Sequence, residues 1–253
     1  MLEAYIRERR RQKEILLMTH IVMGYPDFET SMAIVEQMVE AGVDLMELQI
    51  PFSEPMADGP VILGANQAAL SGGARVERCF EFARQAAAKF DIPFLFMTYY
   101  NILFKYGVTP FVNKMADINI KGAIVPDLPP EEGQAYLKAM EEQNLSPIHI
   151  FSPRTSNERM DFLASQTRGF VYCVARKGVT GKETRFTEEI AGYLDRCRQA
   201  TTLPLAVGFG VKDEADIAFL KGKADIAVVG SEMIRVVENQ GVEGVGRFIQ
   251  SLA

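Results

Sequence analysis

The chain has 253 residues, 48% hydrophobic and 24% charged, a balance that suits one globular unit with a large core. Acidic residues outnumber basic ones, 33 to 27, and the net charge of −6 gives no electrostatic reason to expect nucleic acid. Cys79, Cys173 and Cys197 are widely spaced and make neither a disulfide framework nor a metal-ligand set, which points to a reducing cytoplasm. The N-terminus is charged at once, unlike a signal peptide, and no apolar run approaches the roughly 20 residues that span a membrane.

In chain order, the first predicted element is a helix over 3–13. Its basic residues Arg7, Arg9, Arg10, Arg11 and Lys13 are interspersed with acids and read as a solvated face. A short apolar run followed by a longer amphipathic one then recurs to the C-terminus. The apolar runs are 16–22, 45–50, 93–99, 122–127, 147–151, 169–176, 204–210 and 225–231. Near-continuous apolarity at strand length suits strands buried on both faces of a parallel sheet. Three- and four-residue apolar spacing predicts helices over 30–40, 76–90, 110–117, 131–143, 158–165, 188–198 and 214–220. Gly42 and Gly122, just before strands, read as left-handed caps. The alternation predicts an α/β fold: a (β/α)8 TIM barrel with an extra N-terminal helix, in a single domain over 1–253.

In such a barrel, functional groups sit on loops after the strand C-termini, and phosphate is often held after strands seven and eight. In the second strand, alternation sends Met46, Leu48 and Ile50 toward the helices and Glu47 and Gln49 into the barrel. An interior carboxylate is costly unless paired or used, so Glu47 is either half of a structural ion pair or a working group. The following loop, 51–60, is longer than such connections usually are, which favours function. Its Asp58-Gly59 is equally readable as a turn, and Glu54 as solvated. The stretch 176–185 is glycine-bearing and basic, as a lid over an anion or an ordinary surface loop would be. Gly208-Phe209-Gly210 and Gly230-Ser231 follow strands seven and eight, where glycine turns and a helix start could present N–H groups to phosphate. His20 and His149 have no acidic or cysteine neighbour in sequence and read as satisfied core histidines, and Tyr99 and Tyr172 as packing or pocket. Gly-x-Ser-x-Gly, Walker and zinc motifs are absent from the sequence.

Glu47-Leu48-Gln49-Ile50-Pro51-Phe52-Ser53-Glu54-Pro55-Met56-Ala57-Asp58-Gly59-Pro60 resembles the signature of the tryptophan synthase alpha-subunit family. The likeness continues through Ala65-Asn66-Gln67, Met97-Thr98-Tyr99-Tyr100-Asn101, Val125-Pro126-Asp127-Leu128-Pro129, Gly178-Val179-Thr180-Gly181 and Gly208-Phe209-Gly210, in the family's order. The resemblance implies retro-aldol cleavage of indole-3-glycerol phosphate to indole and glyceraldehyde 3-phosphate, with no metal and no cofactor bound by this chain. It implies Glu47 as general acid–base and Asp58 as the second catalytic carboxylate. Tyr172 and Phe209 match substrate-pocket positions, Gly181, Gly210, Gly230 and Ser231 phosphate-binding positions, and Thr180 the lid residue. It further implies a cytoplasmic alpha2beta2 complex with a pyridoxal-phosphate (PLP) beta subunit, with Pro55 and Asn101 on the contact surface. Gln49 stands where the family has glycine, Glu54 for aspartate, Leu63 for glutamine, and Thr19-His20 for a proline-aromatic pair. Gln49 either crowds the pocket or hydrogen-bonds Glu47. A second reading keeps the chain as a catalytically weak barrel that mainly binds and activates its beta partner. A sugar-phosphate epimerase-like barrel is a weaker third, since its metal ligands are missing.

Overall fold

The computed structural model describes residues 1–174, 188–208 and 210–252. Within them the order is α1 (Leu2–Arg10), β1 (Leu16–Val22), α2 (Phe28–Glu40), β2 (Leu45–Gln49), α3 (Pro60–Ser71), α4 (Val76–Lys89) and β3 (Phe94–Met97). Next come α5 (Tyr100–Tyr106), α6 (Val108–Asp117), β4 (Gly122–Ile124), α7 (Gln134–Glu142), β5 (Ser146–Ile148), β6 (Ile150–Phe151) and α8 (Asn157–Ser165). The last elements are β7 (Val171–Val174), α9 (Glu188–Ala200), β8 (Leu205–Gly208), α10 (Glu214–Leu220), β9 (Ile226–Val229), α11 (Ser231–Gln240) and α12 (Glu243–Ser251).

Every strand pairing is parallel, in the order β5-β4-β3-β2-β1-β9-β8-β7-β6. The two ends of that order, β5 and β6, are successive pieces of one strand that changes neighbour at His149. Ser146–Ile148 pairs with β4, Ile150–Phe151 pairs with β7, and the chain itself closes the ring. The eight expected strands are therefore present, with the fifth divided in two.

Alternation builds two concentric cores. Leu17, Ile21, Met46, Leu48, Phe94 and Phe96 face the helices and join their apolar faces in the larger cluster. Leu16, Met18, Leu45, Leu95, Met97, Ile226 and Val228 fill the interior, where Leu2 and Ile6 of α1 join them. Helix α1 thus plugs the N-terminal end. The basic run on α1 is a set of clamps rather than a solvated face. Arg9 Nη2 and Lys13 Nζ reach the fully buried Asp44 carboxylate at 2.8 and 2.9 Å, and Leu17 N donates to it at 3.0 Å. Arg10 and Arg198 flank Asp225, which also accepts from Leu205 N at 2.8 Å. Of the run, Arg7 and Arg11 fit the solvated reading, pairing with Glu3 and Glu8 on the surface.

Two local expectations need correcting. Gly42 has the positive φ of a cap, 95°, but Gly122 does not, and Asn119 at 66° makes that turn. Glycine is needed at 122 because a Cβ there would lie 2.4 Å from the Ser146 carbonyl oxygen on the adjoining strand. The connection after β2 also continues into α3, with Pro60 at its first turn, before α4 begins.

His149, at the junction of β5 and β6, is buried with Nδ1 3.1 Å from Thr167 Oγ1. The Thr167 hydroxyl donates to Leu163 O at 2.7 Å, so Nδ1 is the donor to Thr167 Oγ1. Burial first, then the charge of Arg159, pushes its pKa from 6.5 down to about 4. The unfolded chain therefore binds the extra proton between those values, and stability falls as pH drops from about 6.5 to 4, by about 3 kcal/mol from this group. His149→Asn keeps a donor near Nδ1 and cannot titrate. Urea unfolding at pH 7 and pH 4.5 should show a clearly smaller loss of stability for the variant than for wild type.

Candidate active site

The C-terminal end of the barrel collects the polar side chains that the strands turn inward. His20 on β1 and Glu47 on β2 are direct register partners. Their side chains meet with His20 Nδ1 3.0 Å from Glu47 Oε2, at 5% and 3% exposure. The partner that sequence reading did not find for His20 is thus on the next strand. Burial works against a charged His20, but the Glu47 hydrogen bond and the charges of Glu47 and Asp58 outweigh it, and its pKa is raised above 6.5.

Two residues along β2, Gln49 points the same way. It does not bond Glu47, the partner its spacing left open. Its Nε2 donates to Asp58 Oδ2 at 2.6 Å. Tyr99 Oη donates to the same oxygen at 3.1 Å and accepts from Ala57 N at 3.2 Å. Phe52 stacks on the Tyr99 ring, centroids 5.2 Å apart. Asn66 on α3, fully buried, accepts from Phe52 N at 2.9 Å and donates to Ile62 O at 2.8 Å, tying the loop to the helix that follows. Burial pushes the Asp58 carboxyl above its ordinary 3.8, while the His20 charge and the Gln49 and Tyr99 bonds pull it back. Asp58 is therefore held by the barrel wall and is not a free turn residue. Glu54 is exposed, as the solvated reading had it.

Tyr172 on β7 comes to the same interior from the opposite wall. A Cβ on Gly208 would lie 2.3 Å from Tyr172 Oη, so only glycine at 208 lets that ring lie across β8. Burial first, then the charges of Glu47 and Asp58, hold the phenol well above its ordinary 10.0, and it stays protonated. Gly210 has φ 118°, a conformation other residues rarely adopt. Gly230 caps α11 with no side chain over the helix start at Ser231, and a Cβ on it would stand 3.9 Å from His20 Cβ. The turn after the eighth barrel strand therefore runs beside His20. Thr180, Gly181 and Phe209, with the stretch 176–185, lie outside the described residues.

Among the described residues, the buried polar atoms without a hydrogen-bond partner are Thr19 Oγ1, His20 Nε2, Glu47 Oε1, Gln49 Oε1, Thr98 Oγ1 and Tyr193 Oη. Three of the six belong to the inward-facing set His20, Glu47 and Gln49, where a ligand would be the remaining partner. No group of three or more His, Cys, Asp or Glu among the described residues could hold a metal ion. No helix among them is long and apolar enough to cross a membrane.

The two residues read as partner contacts separate. Asn101, at the start of α5, is exposed, whereas Pro55 is buried and its neighbour Met56 is 73% exposed. Phe104, also on α5, is 69% exposed. Tyr99, Asn66 and His20 were not among the sequence-derived site residues. Tyr99 and Asn66 stood inside quoted motifs, and that was the signal available for them.

The sequence model described as "Tryptophan synthase alpha chain" matches residues 6–249. The tryptophan synthase alpha chain of Syntrophotalea carbinolica is 62% identical over 252 residues, covering 100% of both chains. That of Desulfotalea psychrophila is 56% identical over 251 residues, covering 99% of each. Among solved structures, Mycobacterium tuberculosis tryptophan synthase superposes with TM-score 0.92 at 32% identity, covering 99% of this chain and 96% of the other. A tryptophan synthase complex from Pyrococcus furiosus gives TM-score 0.84 at 26% identity, covering 94% and 97%. With its fold, its full-length match and these relatives, the chain belongs to the tryptophan synthase alpha chain family.

Proposed function

We propose that Glu47 and Asp58 carry the reaction of this family, a lyase step that cleaves indole-3-glycerol phosphate to indole and glyceraldehyde 3-phosphate in tryptophan biosynthesis. The observation that carries the assignment is two buried carboxylates at one end of the barrel held by different means. Glu47 keeps Oε1 without a partner, and Asp58 takes both its neutral donors on Oδ2.

The chemistry calls for that difference. Indole leaves when C3 of the ring takes a proton, which places positive charge at the ring nitrogen. Removal of the adjacent glycerol hydroxyl proton then forms the aldehyde, and the electron pair of the breaking carbon–carbon bond returns to the ring. Glu47 gives the first proton from Oε1 and takes the second back on the same oxygen. Asp58, ionised, accepts the ring N–H and stabilises the cation. Tyr172 closes the pocket opposite. Gly210, Gly230 and Ser231 take the phosphate on backbone N–H groups, assisted by Gly181. Thr180 and Phe209 complete the lid and pocket. The side chains of this chain suffice for these steps without a bound cofactor, PLP belonging to the beta partner.

The partner is a tryptophan synthase beta subunit. Its docking face includes Asn101 and Phe104 on α5 and the loop carrying Pro55 and Met56. Both segments follow neighbouring strands, β2 and β3, so they lie at the same end of the barrel as the carboxylates. The reading of a weak, mainly regulatory barrel is disfavoured by the retention of both carboxylates with supporting bonds.

Glu47→Gln and Asp58→Asn should each lower indole release about 10²–10⁴-fold, with unfolding midpoints near wild type. The assay is indole formation from indole-3-glycerol phosphate, with and without beta subunit, and near-wild-type turnover of folded Glu47→Gln overturns the assignment. Because Asp58 must be ionised and its pKa is raised, activity should fall with decreasing pH through a limb above 3.8. For the docking face, Phe104→Ser should weaken beta-subunit binding about tenfold by calorimetry, since buried aromatic anchors dominate such interfaces. Unchanged affinity removes Phe104 from that face.

A further inference from the structure

We propose that His20 is a positioning residue for Glu47, holding the carboxylate through Oε2 and sharing a proton with it so that Oε1 is the atom presented to substrate. The inference rests on the assignment of Glu47 as the acid–base group, and it adds a residue that stands where the family has an aromatic.

The contact is set by two backbones. His20 and Glu47 are register partners on adjacent parallel strands and both face inward, so their approach at 3.0 Å needs no flexible loop. The side chain is 5% exposed, and the Gly230 turn runs beside its Cβ. With Nδ1 engaged by Oε2, the carboxylate cannot rotate freely, and Oε1 is left without a partner on the substrate side. An aromatic hydrocarbon ring at 20 could fill the space but could not hold Oε2.

The groups facing His20 are, among the described residues, Glu47 from β2 and Asp58 from the loop beyond it, with Gln49 as a neutral neighbour. Tyr172 on β7 senses both carboxylates and stays protonated, and Tyr99 is bonded to Asp58. Two negative groups therefore face the ring, which explains why it favours its charged form despite burial. An imidazolium at Nδ1 stabilises Glu47 in the carboxylate state it enters after protonating indole C3. It returns to a neutral-partner contact when Glu47 takes the hydroxyl proton. No atom is consumed, because the Nδ1 proton moves only along the hydrogen bond.

The chain has two histidines, so ring-labelled NMR resolves both without assignment by mutagenesis of the whole molecule. His149 serves as an internal marker of folding, since it remains neutral until about pH 4. His20 should titrate above 6.5 in wild type and at least about tenfold less favourably in Glu47→Gln. In kinetics, His20→Phe should lower kcat about tenfold with a smaller change in KM, and should displace the acid limb of the kcat profile. His20→Asn, which places an amide donor near the Nδ1 position, should restore much of kcat but not the wild-type limb. A His20 titration unmoved by Glu47→Gln, or a His20→Phe profile that overlays wild type, overturns the proposal. If Glu47→Gln is inactive while His20→Phe is normal, only this inference fails. If Glu47→Gln is fully active, the acid–base assignment itself fails.

Discussion

A carboxylate enclosed in a closed parallel barrel has given up water, and an ionised one is tolerated only where hydrogen bonds or an opposite charge replace that solvation. Much of the mouth of this molecule follows from meeting that requirement twice. Glu47 is met by His20 across a strand pair, and Asp58 by Gln49 and Tyr99. Each pairing draws on a different element: β1, β2, and the end of β3. The groups converge only when the sheet has closed in the right register, so assembly of the site and closure of the barrel are one event. The anchoring of the 51–60 loop by Asn66, and the stacking of Phe52 on Tyr99, extend that dependence to α3.

The two ends of the barrel handle negative charge in opposite ways. At the N-terminal end, Asp44 and Asp225 each receive two cations and a backbone N–H. Such carboxylates are quenched by their partners, and they fasten α1 over the open end. At the C-terminal end the donors are an amide, a phenol and a histidine, which stabilise charge without abolishing basicity. The same residue type is made structural at one end and chemical at the other by the partners it is given. A cavity of about 310 Å³ at the N-terminal end is lined by Arg7, Arg10, Arg11, Arg198 and Asp225, and these arginines are already engaged with acids or carbonyls.

How much of this was legible in the sequence differs from residue to residue, for physical reasons. The direction of Glu47 and Gln49 followed from period-two alternation within one strand, and all eight strand positions followed from apolar runs. The split of the fifth strand at His149 did not, because a change of neighbour leaves no mark on a run that stays apolar throughout. His20 looked partnerless because register between strands is a property of the sheet, and Glu47 is 27 residues away. The basic run at the N-terminus was misread for the same reason: Glu3 and Glu8 take only Arg7 and Arg11, while Asp44 and Asp225, which precede β2 and β9, take the others. Helix α5 was missed because Tyr100 to Tyr106 is too short to display a helical period. The carboxylate roles came through the family resemblance, since spacing alone left Asp58 open as a turn.

Two departures from the family pattern, Gln49 and His20, turn out to belong to one network. Gln49 Nε2 binds Asp58, and the same side chain favours the charged form of His20, whose ring binds Glu47. His20 and Gln49 thus each hold one of the two carboxylates, with bonds that an aromatic and a glycine could not supply. Changing one departure alone is therefore unlike changing both. Glycine at 49 would leave Asp58 with Tyr99 as its side-chain donor and remove one of the groups that charge His20. An aromatic at 20 would leave Glu47 buried without its bond and Gln49 Oε1 beside a hydrocarbon. Restoring both at once removes polar atoms in matched numbers and leaves Glu47 as a more isolated acid. The pair reads as a substitution of a coupled, proton-sharing mouth for an apolar one, with the two carboxylates kept in place by different means.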